Sequence, residues 1–324
     1  MESQPMAWRI GIDEAGYGPN LGPLVMTAVA CRVPDDLAEA DLWLALGSAV
    51  CRKRPVQDRI LVNDSKEVFS TSRGLGDLEA TVLTILSAAR SAPVNDIRCL
   101  LEYLCPTAEA ELLQEIWFRG DTSLPLAAEG DAIAAHVEKL LGACQAQHLQ
   151  WGPLRTVVVC PSRFNDMVDR EDSKAAVLAA ALIELMRWHL TQNGGEAVHV
   201  VVDKHGGRNR YAGLVQEMAS AGMPLIREEG ALCSMYDVAG LDHPLRLTFR
   251  PRADSGDLCV ALASMISKYL RELFMAEFNE FWQKEVPGVT PTAGYPVDAG
   301  RFFADIGPAR LRLGVPDRQL WRQR

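Results

Sequence analysis

An α/β architecture, a mixed central sheet flanked by helices, is what this sequence predicts, on three observations. Short β-branched apolar runs alternate with longer segments whose apolar residues recur at helical spacing. Two strand-like runs stand side by side at the start, as an antiparallel hairpin requires. Acidic residues then interrupt or end the apolar runs, where an open α/β sheet gathers its ligand-binding groups.

In chain order, residues 8–13 read as a short buried strand. Gly11 and the run Gly16-Tyr17-Gly18-Pro19-Asn20-Leu21-Gly22-Pro23 force a tight irregular loop. Residues 24–33 supply the second strand. Residues 78–89 have helical spacing, and 96–105 read as another strand. Residues 108–117 and 132–145 are alanine- and leucine-rich helical patterns joined by a loop over 120–130. A strand over 156–160, a long amphipathic helix over 173–190 and a strand over 198–203 follow. The last ends in an acid and precedes Gly206-Gly207. Residues 258–274 are again helical. There is no internal repeat and no low-complexity tract.

A chain of 324 residues holds one large domain or two smaller ones. No stretch approaches the roughly 20 apolar residues of a membrane span. The start, Met1-Glu2-Ser3-Gln4-Pro5, lacks the basic and apolar regions of a secretory signal, so a cytoplasmic location is expected. Eight cysteines (31, 51, 99, 105, 144, 160, 233 and 259) show no paired spacing, which points to reduced thiols. Cys160 and Cys259 lie in apolar runs as small core residues. The net charge of −9 excludes a protein that coats nucleic acid, but not one that grips a short stretch of backbone. Positive charge is local: Arg310, Arg312, Arg318, Arg322 and Arg324 crowd the end. Arg208, Arg210, Arg250 and Arg252 lie near the acids.

Three acidic points carry the chemistry. Asp13-Glu14 interrupts an apolar strand before a glycine-rich loop, Asp203 ends the run Val198-His199-Val200-Val201-Val202, and Asp254 stands just before a helix. Carboxylates grouped in one crevice repel one another unless a cation neutralises them. Hard oxygen donors select magnesium or manganese, ions that serve phosphodiester cleavage.

These residues resemble a known family. Gly11-Ile12-Asp13-Glu14-Ala15-Gly16-Tyr17-Gly18-Pro19-Asn20-Leu21-Gly22-Pro23-Leu24-Val25 is similar to the opening motif of the type 2 ribonucleases H. Asn63-Asp64-Ser65-Lys66 resembles the family's Asp-Ser-Lys motif, with Arg73 in the helix start that follows. Phe164-Asn165, Val202-Asp203 and Arg252-Ala253-Asp254 with the helix through Ser264 and Lys268 fall in the family's order. Gly294-Tyr295-Pro296-Val297-Asp298 resembles a stretch of archaeal-type members. The resemblance implies a ribonuclease H-like catalytic domain over 1–275, with an inserted helical segment near 106–150. A C-terminal segment over 276–324 would pack by the cleft. It implies an endonuclease acting on RNA–DNA hybrids or on ribonucleotides embedded in duplex DNA, as a monomer. Asp13, Glu14, Asp203 and Asp254 would be catalytic and hold Mg2+ or Mn2+. Asp257 is a rival for the fourth place. Gly16, Tyr17, Gly18, Ser65, Lys66 and Tyr295 would contact nucleic acid.

The chain also departs from that pattern. Position 17, basic in the family, is Tyr17, which carries no charge and offers a stacking face instead. Lys204-His205-Gly206-Gly207-Arg208 replaces a short turn after the third acid and offers positive charge from another side, with His205 a solvated turn residue or a proton shuttle. Trp117 and Phe118 read as a partner surface or as the inserted hairpin's own core, and the arginine-rich end as a duplex contact or a solvated tail. The alternative function is a nucleic-acid-binding protein with altered or lost ribonuclease specificity. An actin-like phosphotransferase would need a second phosphate loop, for which residues 202–207 fit poorly.

Overall fold

The computed structural model describes residues 4–323 apart from 55, 57, 71 and 107, so Met1, Glu2, Ser3 and Arg324 lie outside the described residues. Nine strands are present among the described residues: β1 (Met6–Ala15), β2 (Leu24–Pro34), β3 (Val50–Cys51), β4 (Ile60–Leu61), β5 (Gln150–Val159), β6 (Ala197–Asp203), β7 (Met223–Glu229), β8 (Ser234–Ala239) and β9 (Leu245–Arg250). Seven form one sheet in the order β5-β2-β1-β6-β9-β8-β7, and β3 pairs with β4 alone. β1 and β2 are the expected antiparallel hairpin; β6 and β9 run parallel to β1. The sheet is therefore mixed and flanked by helices, as the alternation of patterns predicts.

Two apolar layers cover the sheet. Ile10, Ile12, Val198, Val200 and Val202 point to the side packed by the helix Lys174–His189. The alternate positions face the helix Leu258–Glu285, which extends the expected 258–274. Residues i and i+2 of a strand share a face, so Ala7, Gly11 and Asp13 line this second side. A side chain at Gly11 would run into the helix backbone at Cys259 and Val260. Only glycine lets strand and helix approach so closely.

The segment 96–105 is a correction. It folds as the helix Ile97–Leu104, because Asp96 caps it by accepting from Cys99 N at 2.7 Å. Ile97, Leu100, Leu101 and Leu104 bury a stripe at i, i+3, i+4 and i+7, a helical period that the strand reading missed. Strands β7, β8 and β9 went unread; β7 and β8 lack a clear alternation, whereas Leu245-Arg246-Leu247-Thr248-Phe249-Arg250 of β9 alternates and was legible.

In the segment 106–150, the first helical pattern shrinks to Glu109–Leu112, while the second becomes the helix Gly130–Ala146. Two buried glutamates hold the loop between them. Glu79 accepts from the backbone N–H groups of Leu126, Ala127 and Ala128 and from the Tyr269 hydroxyl. Glu277 accepts from Arg119 N, Gly120 N and Thr122 Oγ1. Buried carboxylates need such donors to offset their desolvation. Trp117 is buried edge-on against Phe274 and Phe278 of the long helix, so it belongs to the main core and not to a hairpin core of its own.

The C-terminus is docked, not a solvated tail. Asn165, fully buried, donates to Arg318 O and Trp321 O at 2.9 Å each and accepts from Gln323 N at 2.8 Å. Arg322 N donates to Asn20 O at 2.8 Å, and Leu21 bridges Trp321. The chain end thus braces the loop that follows Asp13-Glu14. The described arginines of this end are occupied: Arg310 pairs with Asp317, Arg312 with Glu285, and Arg318 with Asp166 and Asp169.

Candidate active site

Strand register sets the acids level with one another. Ile12 of β1 pairs with Val202 of β6, which puts Asp13 beside Asp203 at the ends of two central parallel strands. Both follow residues on the opposite face, so Asp13 and Asp203 leave the sheet on the long-helix side. Glu14, one residue on, starts from the other face of β1 and reaches the same strand end. Asp254 arrives from a 3₁₀ turn, Ala253–Ser255, between β9 and the long helix. That turn is tied to β6 by Ala253 N, which donates to Asp203 Oδ1 at 2.8 Å.

The electrostatics show that the acids share one environment. Burial, then the charges of Glu14 and Asp203, hold the Asp13 carboxyl well above the ordinary carboxylate range. Glu14 is pushed up to about 7 by burial and then Asp203, against the opposing pull of Lys66. Asp254 rises to about 6 through burial, then Asp64 and Asp203. Burial also raises Asp203, opposed by hydrogen bonds from the peptide groups around it and by Lys66. Four carboxylates that resist ionisation together are a site short of positive charge. Their donors are all oxygen, the set a hard divalent cation takes. Among the described residues, no three His, Cys, Asp or Glu side chains are already gathered tightly enough to hold a metal ion.

The remaining residues surround this cluster unequally. Ser65 opens the short helix Ser65–Val68, capped by Asp64, which accepts from Lys66 N at 2.9 Å. Ser264 of the long helix donates to Ser65 Oγ at 3.1 Å and lies near enough to Asp13 to oppose the rise of its carboxyl. Arg73 sits in the turn before the helix Gly76–Arg90, not in a helix start. Gly16 has φ +90°, and a side chain there would meet Arg271 Nε at 2.6 Å and Pro23 O at 2.7 Å. Gly18 lies against the half-exposed ring of Tyr295, the residue just before the helix Pro296–Asp305. Tyr17 lies close enough to Glu14 for that charge, after burial, to raise its hydroxyl, and the Lys174 ammonium stands 4.7 Å above its ring.

Asp257 is committed elsewhere. It caps the long helix by accepting from Val260 N and holds the buried Arg9 guanidinium at 2.7 Å. The turn after Asp203 also corrects two expectations. Lys204 faces inward and donates to Asn209 Oδ1, Gly230 O and Ser234 Oγ, so it offers no charge to a ligand. His205 is buried, not solvated, and burial drops it to about 4. Its backbone N–H donates to the Tyr211 hydroxyl, and Tyr211 stacks flat on Phe249 at 3.9 Å. Two contributors were missed as site residues. Asp64 faces Asp254 electrostatically, and Ser264 bridges two parts of the site; both stood inside motifs already quoted, but their partners are distant in sequence.

No protein-family model matches the chain, and no curated protein matches it. Among solved structures, the chain is similar to the ribonuclease HII of a PCNA:RNase HII complex from Archaeoglobus fulgidus. That match has 15% identity and a TM-score of 0.46, over 98% of this chain and 94% of the other. It is also similar to ribonuclease H2 from Pyrococcus horikoshii OT3, with 14% identity and a TM-score of 0.45 over 97% and 92%. A third is Bst-RNase HIII in complex with Mn2+, with 15% identity and a TM-score of 0.38 over 99% and 67%. The mixed seven-stranded sheet flanked by helices, built on an antiparallel opening hairpin, is the α/β arrangement that the alternation of patterns predicts.

Proposed function

We propose that this chain is a metal-dependent endoribonuclease that hydrolyses the RNA strand of RNA–DNA hybrids, or ribonucleotides embedded in duplex DNA. The convergence of Asp13, Glu14, Asp203 and Asp254, each with a raised carboxyl, is the observation that supports this reading most. These four residues would hold Mg2+ or Mn2+, and Asp64 stands next to them. The bound cation would activate water and stabilise the leaving oxygen. Ser65, tied to Ser264, orients the segment that brings Lys66 beside the acids, where its charge would attract a phosphate. Gly16 lets the loop lie close to Arg271, Gly18 stands against Tyr295, and Tyr17 and Tyr295 offer rings to a sugar or base. In this reading residues 1–275 form the catalytic unit, with 106–150 an addition on its flank.

The test is cleavage of three duplexes, a full hybrid, DNA with one ribonucleotide, and all-DNA, each with magnesium and with manganese. Cutting at RNA that Asp13→Asn abolishes is the expected result; cutting of the all-DNA duplex alone sinks the reading. Tyr17 in a position that is basic in the resembling family favours a second reading, a nucleic-acid-binding protein of altered or lost ribonuclease specificity. Binding of all three duplexes without metal-dependent cutting would support it.

A further inference from the structure

The exposed arginines beside the acids form a cluster that the site described so far does not use. Arg250 is the register partner of Asp203 on the neighbouring parallel strand, so the two side chains leave the same face at the same level. Arg252 follows two residues later, and Arg208 lies in the turn after Asp203, its guanidinium 5.5 Å from the Tyr211 ring centre. All three are exposed. Among the described residues none has a carboxylate partner, whereas Arg227, Arg246, Arg312 and Arg318 on the same acidic protein are each ion-paired. Arg210 is also exposed but lies 4.0 Å from Glu229, which offsets its charge.

Arg252 adds a conformational observation. It adopts φ 56° in the left-handed region, a place where glycine is at ease and arginine is not. The next N–H, that of Ala253, is the one that holds Asp203. The backbone there needs the left-handed turn, yet the residue is a long cation and not glycine. Ser91, His148 and Asp172 share that region, so it is the position of Arg252 beside the acids, and not its φ alone, that singles it out.

We infer that Arg208, Arg250 and Arg252 form a phosphate-backbone grip on the β9 side of the acids, and that it carries the charge that Tyr17 lacks. A nucleic-acid strand presented to four carboxylates is repelled by them, and fixed cations on the flank offset that repulsion. The ligand is the sugar-phosphate backbone of a duplex. Because the contact is to phosphate, it does not distinguish RNA from DNA. The inference rests on the nuclease reading only for the location of the strand, not for its cleavage.

The experiment measures binding of the full chain, in EDTA, to a hybrid and to an all-DNA duplex of equal length between 50 and 200 mM KCl. Each phosphate contact contributes about 0.9 to the slope of log K against log salt. Arg208→Ala, Arg250→Ala and Arg252→Gly should each lower that slope by about 0.9 and weaken binding roughly three- to tenfold on both duplexes. Arg312→Ala, remote and ion-paired, should change neither. Arg252→Gly separates charge from folding, since glycine relieves the backbone: its melting temperature should hold or rise while binding falls. Unchanged slopes in all three variants, or wild-type protein that binds neither duplex at 50 mM salt, overturn the inference. Slopes that fall as expected with no metal-dependent cutting of any RNA-containing duplex would overturn the nuclease reading and leave the grip standing.

Discussion

Ser264 donates a hydrogen bond to Ser65 across 3.1 Å, joining residues 199 apart in sequence. The Ser264 hydroxyl also stands near enough to Asp13 to oppose the rise of its carboxyl, so one side chain of the long helix neighbours both the first acid and the segment that carries Lys66. Ser264→Ala should cost about 1 kcal/mol in urea unfolding, the usual net worth of one hydrogen bond. Cleavage should fall further than stability accounts for, on the order of 10- to 100-fold, as when groups supporting a metal site are lost. Equal activity in the variant would remove Ser264 from the site.

The raised carboxyls set a pH dependence whose sign follows from linkage. Glu14 stands at about 7 and Asp254 at about 6 in the folded protein, above their ordinary unfolded values. Below about pH 4 both states are protonated, and this contribution to stability is fully present. As pH rises toward 7 the unfolded chain releases these protons first, so metal-free stability falls across that window. At about 1.4 kcal/mol for each tenfold change in proton affinity, the combined loss is on the order of several kcal/mol. Thermal midpoints from pH 4 to 7.5 in EDTA should decline in the wild type and decline less in Glu14→Gln/Asp254→Asn. Adding Mg2+ or Mn2+ should recover the loss only in the wild type. A wild-type midpoint that climbs across the window while the double variant's stays flat contradicts this account.

Asp254 and Asp257 should separate cleanly. Asp254→Asn removes a charge that repels its neighbours, so it should abolish cutting while leaving the melting temperature equal or higher. Asp257→Asn leaves the buried Arg9 guanidinium without its ion pair. Removing one partner of such a pair costs about 3–5 kcal/mol. Residual cutting by folded Asp257→Asn is expected at low temperature. If Asp257→Asn is stable and inactive instead, the fourth role belongs to Asp257.

Gly16→Ala tests the loop. At φ +90°, with Arg271 Nε and Pro23 O in the path of a new methyl, the loop must shift. The expected cost is about 1–3 kcal/mol, and hybrid cutting should fall. Unfolding and initial rates measured together would show whether activity follows the loop; wild-type values for both would remove Gly16's constraint.

The sequence by itself determined the opening hairpin, the buried strand ending at Asp203 and the existence of the long helix, because each is a strong local period bounded by glycine or an acid. It also placed the four acids in their order, since the resemblance is carried by contiguous motifs. It misread residues 96–105, where a stripe of one polar face in eight residues resembles a strand until the Asp96 cap is recognised. It left β7 to β9 unread. Only the tertiary structure separated the surroundings of Asp254 and Asp257, because the two differ in what comes to meet them: Asp203's turn for one, Arg9 from β1 for the other. The same holds for Lys204, consumed by Ser234 and Gly230, and for the docked C-terminus on Asn165 and Asn20. Which charges are spent on internal partners and which stay free for a ligand depends on residues tens to hundreds of positions away, and no local pattern records that distance.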